Sequence, residues 1–285
     1  MDQDQLNPYV AYEGYVVRVP HNPLRDLSLL MRYLRASHFG PTVLVTTLAF
    51  LFSRHLFALP TALLVALTIF TGQLLVGWTN DLVDYQSDIR QGRREKPLVT
   101  GPLTVKSLKL ATLVDLPICV LLSLAGPLGL RGGALHLLGV GCGVSYNFYF
   151  KNTALSPLPY ALAFAALPAA PRIAVDKPTP LWVVATGALF GIVAHFANVL
   201  KDYESDREIG MEGLPHKLSF KANLFICIIF LAGITAIIGF EKPSIAFYLG
   251  AAVLGGAALI IYKPRKLAFL IIMALALISV LAVAL

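Results

Sequence analysis

The sequence predicts an all-α polytopic membrane protein: nine transmembrane helices in a bundle, with a pseudo-repeat of two acidic motifs. Two observations predict it. Of 285 residues, 57% are apolar and 14% charged, a balance unlike that of soluble domains. A six-residue pattern also occurs twice with one spacing. Asn80, Asp84, Tyr85, Ser87, Asp88 and Gly92 form one copy, and Asn198, Asp202, Tyr203, Ser205, Asp206 and Gly210 the other. Each copy begins inside an apolar run, at 73–79 and at 190–197.

Along the chain, residues 1–21 read as a polar, irregular tail. Asp2 and Asp4 stand where a signal peptide would be cationic, and no apolar run begins before about Phe39. From Asn22 to Ser37, Leu27, Leu30 or Met31, and Leu34 line one side, with Arg25 and Arg32 on another. That pattern suits a helix lying along a membrane interface. Nine apolar segments follow, near 38–53, 59–79, 108–128, 132–150, 155–173, 181–200, 221–240, 244–262 and 266–285. Some fall short of the ~20 residues a spanning helix needs, so tilt or polar ends are expected. The expected organisation is a cytoplasmic tail and interfacial helix over 1–37 and one transmembrane domain over 38–285. The motif-bearing halves of that domain cover about 38–150 and 155–285.

Net charge is +7, but the basic residues are scattered among short loops. They point to anionic headgroups and membrane orientation, not to nucleic acid. The loops on the tail side carry 18 Lys and Arg against 5 on the other. The positive-inside rule then places the N-terminus and both motif loops in the cytoplasm and the C-terminus outside, as in a bacterial plasma-membrane protein. Both motifs would end helices running in one direction, which relates the halves by an axis along the membrane normal. Cys119, Cys142 and Cys227 lie singly in apolar runs without metal spacing, as small core residues do.

Asn, Asp and Asp at i, i+4 and i+8 climb one helix face. Such spacing in a single copy usually marks a solvated helix end; two copies in apolar sequence argue for a site. Converging carboxylates repel unless cations lie between them, and hard oxygen ligands suit Mg2+, with a diphosphate supplying further oxygens. The candidate metal ligands are Asn80, Asp84 and Asp88 on one side and Asn198, Asp202 and Asp206 on the other. Asp81 adds a carboxylate one position round from the first face. The loops near 89–107 and 207–220 hold Arg93, Lys96, Arg207 and Lys217, candidates to clamp phosphate oxygens. Lys151, with Tyr146 and Asn147 before it, ends the fourth segment on the same side. Asp115, about two turns into the third segment, faces a cavity or a partner. His195, one turn before Asn198, reads as a packing residue that braces the motif.

The paired motifs resemble those of the UbiA superfamily of intramembrane prenyltransferases. Asn80, Asp81, Asp84 and Asp88 match its Asn-Asp-x-x-Asp-x-x-x-Asp signature, and Asp202 and Asp206 its Asp-x-x-x-Asp signature. Lys96-Pro97-Leu98 through Gly101 is similar to the family's Arg-Pro-Leu-x-x-Gly segment, with Lys for Arg. Where many members carry Tyr-x-x-x-Lys-Arg, Asn147 and Asn152 occupy the tyrosine and arginine positions. The resemblance implies Mg2+-dependent transfer of a polyprenyl group from a polyprenyl diphosphate to a small acceptor within the lipid bilayer. It implies no obligatory protein partner. Asp81, Asp84, Asp202 and Lys151 would carry catalysis, and Arg93, Lys96, Lys151, Arg207, Lys217 and Tyr146 would bind the diphosphate. Tyr85, Tyr146 and Tyr203 offer aromatic faces to a carbocation. An aromatic acceptor of the quinone-biosynthesis kind is the favoured reading, with a phosphosugar, a glycerol phosphate lipid or a haem as alternatives. A cation-coupled transporter, from a different class, predicts charges near mid-bilayer, whereas these acids cluster at helix ends.

Overall fold

A computed structural model of the chain describes residues 9–12, 15–18, 23–101, 103–208, 210–261 and 265–284. The tail expected to be irregular carries a hairpin: β1 (Tyr9–Tyr12) pairs antiparallel with β2 (Tyr15–Arg18). Tyr and Val dominate both strands and favour extended backbone. The amphipathic stretch is helix α1 (Pro23–Ala36). Then come α2 (Phe39–Arg54), α3 (Leu59–Arg90), α4 (Val105–Ala125) and α5 (Gly129–Ser145), which runs into a π turn (Tyr146–Phe150). They are followed by α6 (Pro157–Ala174), α7 (Leu181–Glu208), the short α8 (Leu214–Lys217), α9 (Phe220–Glu241), α10 (Pro243–Ile261) and α11 (Arg265–Ala284).

Each of the nine apolar segments therefore forms a helix. Four of them are long and apolar enough to cross a membrane: Leu59–Arg90, Val105–Ala125, Leu181–Leu200 and Phe220–Glu241. The pair Ser28–Ala36 and Phe39–Arg54, bent by 81°, raises that to five at most among the described residues. The expected nine spans are not reached by this measure among the described residues, within which α10 and α11 are assessed only in part. Two other helices fall short for a physical reason. α5 has 17 residues, many of them glycine, and α6 contains Pro168 and Pro171. Surface chemistry nevertheless fits a bilayer. α4 exposes Leu110, Leu113 and Leu121, while Asp115, Cys119 and Ser123 are buried on its inner side. Polar groups inside and leucines outside reverse the soluble pattern.

The largest core gathers around α7, where Phe190, Val193, Phe196, Ala197 and Leu200 meet Cys227, Leu231, Ile234 and Ile238 of α9, with Leu249, Val253, Ile272 and Ala276 behind them. α6 and α7 approach closely because α7 offers glycines at the crossing. A Cβ at Gly191 would fall on the Tyr160 backbone. A second core anchors the loop after α3: Leu98 and Leu103 bury against Ala36, Leu74, Trp78 and Leu108. Burying a leucine contributes roughly 1.5–3 kcal/mol, so the Pro97-Leu98 pair nails down the residue before it, Lys96.

Candidate active site at the ends of α3 and α7

Both acidic motifs lie within their helices, and both helices end alike. Gly92 and Gly210 adopt left-handed φ of 62° and 77°. After them, Arg93 N–H donates to Asp88 O and Met211 N–H to Asp206 O, each at 3.0 Å. Gly92 N–H reaches Ile89 O at 3.0 Å and Gly210 N–H reaches Arg207 O at 3.1 Å. These are two Schellman endings, each built on the last aspartate of its motif. The repeated glycine thus has a backbone reason, since only glycine adopts such φ freely.

The ending at Gly92 turns Arg93 across to the other motif. Its Nη2 lies 3.4 Å from Asp206 Oδ1 and its Nε 3.6 Å from Asp88 Oδ1, with Gln91 Oε1 accepting from Nε at 2.9 Å. One guanidinium therefore bridges the two halves of the repeat. Lys151, at the end of the π turn, donates to Asp84 Oδ2 at 2.5 Å. Lys96 pairs with Asp81 Oδ1 and stands 3.8 Å from Asp88 Oδ2. The Asp81 side chain is only 2% exposed, and its Oδ2 is buried without a hydrogen-bond partner. Carboxylates at helix C-termini face the negative end of the dipole, so these cations offset both repulsions.

Two histidines complete the site. His38 sits in the left-handed region at the break between α1 and α2. Its Nε2–H donates to Asn80 Oδ1 at 2.8 Å and lies 3.2 Å from both Asp81 Oδ1 and Lys96 Nζ. His216, on α8 and 3% exposed, donates from Nε2 to Asp206 Oδ2 at 3.2 Å. Sequence reasoning assigns neither a role. A lone histidine has no local signature: His216 is marked only by its place in the loop at 207–220, and His38, at the break between α1 and α2, by nothing in the sequence. α8 itself is stapled by Asn223 Nδ2 to Pro215 O (2.7 Å) and by Leu214 N–H to Ser156 Oγ (3.1 Å).

The remaining expected residues are placed as follows. Asp202 is half-buried, one turn before Asp206. Asn198 is exposed, unlike Asn80, so the two halves differ at that position. Arg207 lies over the Tyr203 ring, 5.7 Å from its centroid, and its Nη1 is 3.4 Å from the Tyr203 hydroxyl. That hydroxyl donates to Leu218 O at 2.6 Å. Lys217 is exposed at the end of α8. Tyr146 is buried with Tyr160 and His195, at ring separations of 5.0 and 5.5 Å. His195 is buried, its Nε2 3.0 Å from Ser156 Oγ. Asp115 is buried within the bundle. Among the described residues, no three His, Cys, Asp or Glu converge closely enough to hold a metal by themselves. Basic side chains, Arg93, Lys96 and Lys151, lie among the carboxylates.

The donor set is nonetheless chemically suited to Mg2+: hard carboxylate and amide oxygens in two facing groups, one carboxylate oxygen being buried and unpartnered. The UbiA prenyltransferase family model matches residues 40–268. No curated protein sequence matches the chain. Among solved structures, a UbiA homolog from Archaeoglobus fulgidus bound to GPP and Mg2+ superposes with a TM-score of 0.69 at 19% identity, covering 89% of this chain and 97% of that one. The apo structure of a UbiA homolog from Aeropyrum pernix K1 gives 0.69 at 18% identity, over 86% and 97%. A digeranylgeranylglyceryl phosphate synthase gives 0.66 at 15%, over 90% and 98%. At such identities the likeness is one of fold, while the family model spans most of the chain: it belongs to the UbiA prenyltransferase family.

Proposed function

We propose that the protein transfers a polyprenyl group from a polyprenyl diphosphate to an aromatic acceptor, with Mg2+, at the meeting point of α3 and α7. The observation that carries the reading is Arg93, whose guanidinium lies between Asp88 and Asp206. Acids from both halves and the cations among them form one patch, the arrangement a metal-bound diphosphate needs. Asn80, Asp84 and Asp88 would hold one Mg2+, with Asp81 contributing directly or from the outer shell, and Asp202 and Asp206 the other, with Asn198 at its edge. Bound there, Mg2+ supplies charge neutralisation that makes the diphosphate a better leaving group.

The chain's own residues do the rest. Lys96 and Lys151, already aimed at the patch, exchange a carboxylate oxygen for a phosphate oxygen, and Arg93 spans the gap. The allylic C–O bond breaks and its electron pair leaves with the diphosphate. The acceptor carbon forms the new bond and then loses its proton. Of the aromatic candidates, Tyr146 would face developing positive charge, and apolar helices keep water from quenching it. Arg207 and Lys217, outside the patch, would reach the diphosphate only after leaving their present positions. The site faces the cytoplasm of a bacterial cell in this reading, within a single domain over 38–285, and no protein partner is required.

A glycerol phosphate lipid is the second reading for the acceptor, favoured by the likeness to a digeranylgeranylglyceryl phosphate synthase. Detergent-purified protein with labelled geranyl diphosphate, Mg2+ and a panel of acceptors tests both. Label transferred to a hydroxybenzoate or hydroxynaphthoate is the expected result. Label found only on a glycerol phosphate lipid would replace the first reading by the second.

A further inference from the structure

In a regular α-helix the residue one turn below Lys151 would be Asn147, where many family members carry tyrosine. Here the turn is wider. Lys151 N–H donates to Tyr146 O at 3.0 Å, five residues back. The π turn therefore sets Tyr146 beneath Lys151 and rotates Asn147 toward α3. Asn147 is 5% exposed, and its Nδ2 donates to Val76 O at 2.9 Å and to Thr79 Oγ1 at 3.0 Å. The Thr79 hydroxyl directs its own proton to the carbonyls of Leu75 and Val76, at 2.8 and 3.0 Å. It can only accept from Asn147. The Asn147 amide is thus held one way round, with its Oδ1 left to accept from Asn80 Nδ2 at 3.2 Å. Asn80 is fixed in turn, its Oδ1 against His38 Nε2 at 2.8 Å, the same nitrogen that lies 3.2 Å from Asp81 Oδ1.

We propose that Asn147 is a positioning residue that fixes the Asn80 amide with its oxygen, and not its NH2, toward the metal. This rests on the reading above that Asn80 is a metal ligand. A flipped amide would present two N–H donors to a cation, so orientation decides whether Asn80 ligates at all. The asparagine that departs from the family pattern then serves a different end, orienting the amide of the first motif from the neighbouring helix.

The test is a double-mutant cycle that uses the symmetry of a carboxylate, which cannot be misoriented. Mg2+ is titrated calorimetrically into detergent-purified protein with inorganic pyrophosphate present, for wild type, Asn147→Leu, Asn80→Asp and the double variant. Partners that orient metal ligands are worth about 10- to 100-fold in affinity. Asn147→Leu is expected to weaken Mg2+ binding by that factor, and by less than about threefold in the Asn80→Asp background. An equal loss in both backgrounds, or none in either, overturns the proposal. If Asn147→Leu elutes aggregated on size exclusion, Asn147→Ala takes its place in the cycle. Prenyl transfer by the same samples separates the two claims. Coupling without transfer by the wild type rejects the proposed function alone. Transfer without coupling rejects the role of Asn147 alone, and wild type that binds no Mg2+ rejects both.

Discussion

Lys96 illustrates how a single residue changes meaning once its partner is visible. The sequence offers it as a clamp for phosphate oxygens; its partner in the structure is Asp81, 2% exposed at the side chain, with Asp88 Oδ2 at 3.8 Å. Removing one member of a buried pair costs about 3 kcal/mol or more, because the other charge is stranded. Lys96→Ala is therefore expected to lower the melting temperature and to raise the prenyl diphosphate requirement roughly ten- to a hundredfold at saturating acceptor. Adding Asp81→Asn should recover the stability but not the diphosphate affinity. Recovery of both would make Lys96 a structural residue only. Lys96→Arg should keep most function, since a guanidinium also neutralises phosphate. The motif carboxylates stood out because charges in apolar sequence are costly and rarely incidental. His38 and Asn147 were not, since their roles depend on partners 42 and 67 residues away.

At the scale of the element, helical periodicity predicted each helix but not how it ends or widens. The apolar pattern fades at residue 79, yet α3 runs on to Arg90; i, i+4 spacing, not hydropathy, carries that last stretch. The π turn at 146–150 was not legible, because a register shift this close to the end of an apolar segment leaves too few residues after it to show a changed period. The repeated glycines were visible as part of the motif, and their φ explains them. A Cβ at Gly92 or Gly210 would meet nothing within 4 Å, so the cost of alanine there is backbone strain alone. Gly92→Ala is expected to destabilise by about 1–2 kcal/mol and to swing Arg93 away from Asp206, reducing turnover. Gly92→Asn, which tolerates left-handed φ better, should recover part of both. Thermal melts with matched kinetics check this, and an unchanged Gly92→Ala protein would show that the shared helix ending does not position Arg93.

For the whole molecule, the doubled motif was the strongest feature of the sequence, and the structure brings both copies to one end of the bundle through Arg93. Orientation rests on the excess of basic residues on that side. A membrane-impermeant thiol reagent applied to intact cells, in a Cys142→Ser background, should miss Arg94→Cys and Glu212→Cys but label Lys177→Cys. These positions are all exposed, and the reverse pattern would invert the topology. The central claim is that the ends of α3 and α7 form one two-metal diphosphate site. The most direct measurement is Mg2+-dependent prenyl transfer by Asp84→Ala and Asp202→Ala, one from each half, in protein that elutes and melts like wild type. Each substitution alone is predicted to abolish transfer at saturating Mg2+. Near-normal turnover in either variant would contradict the two-metal site.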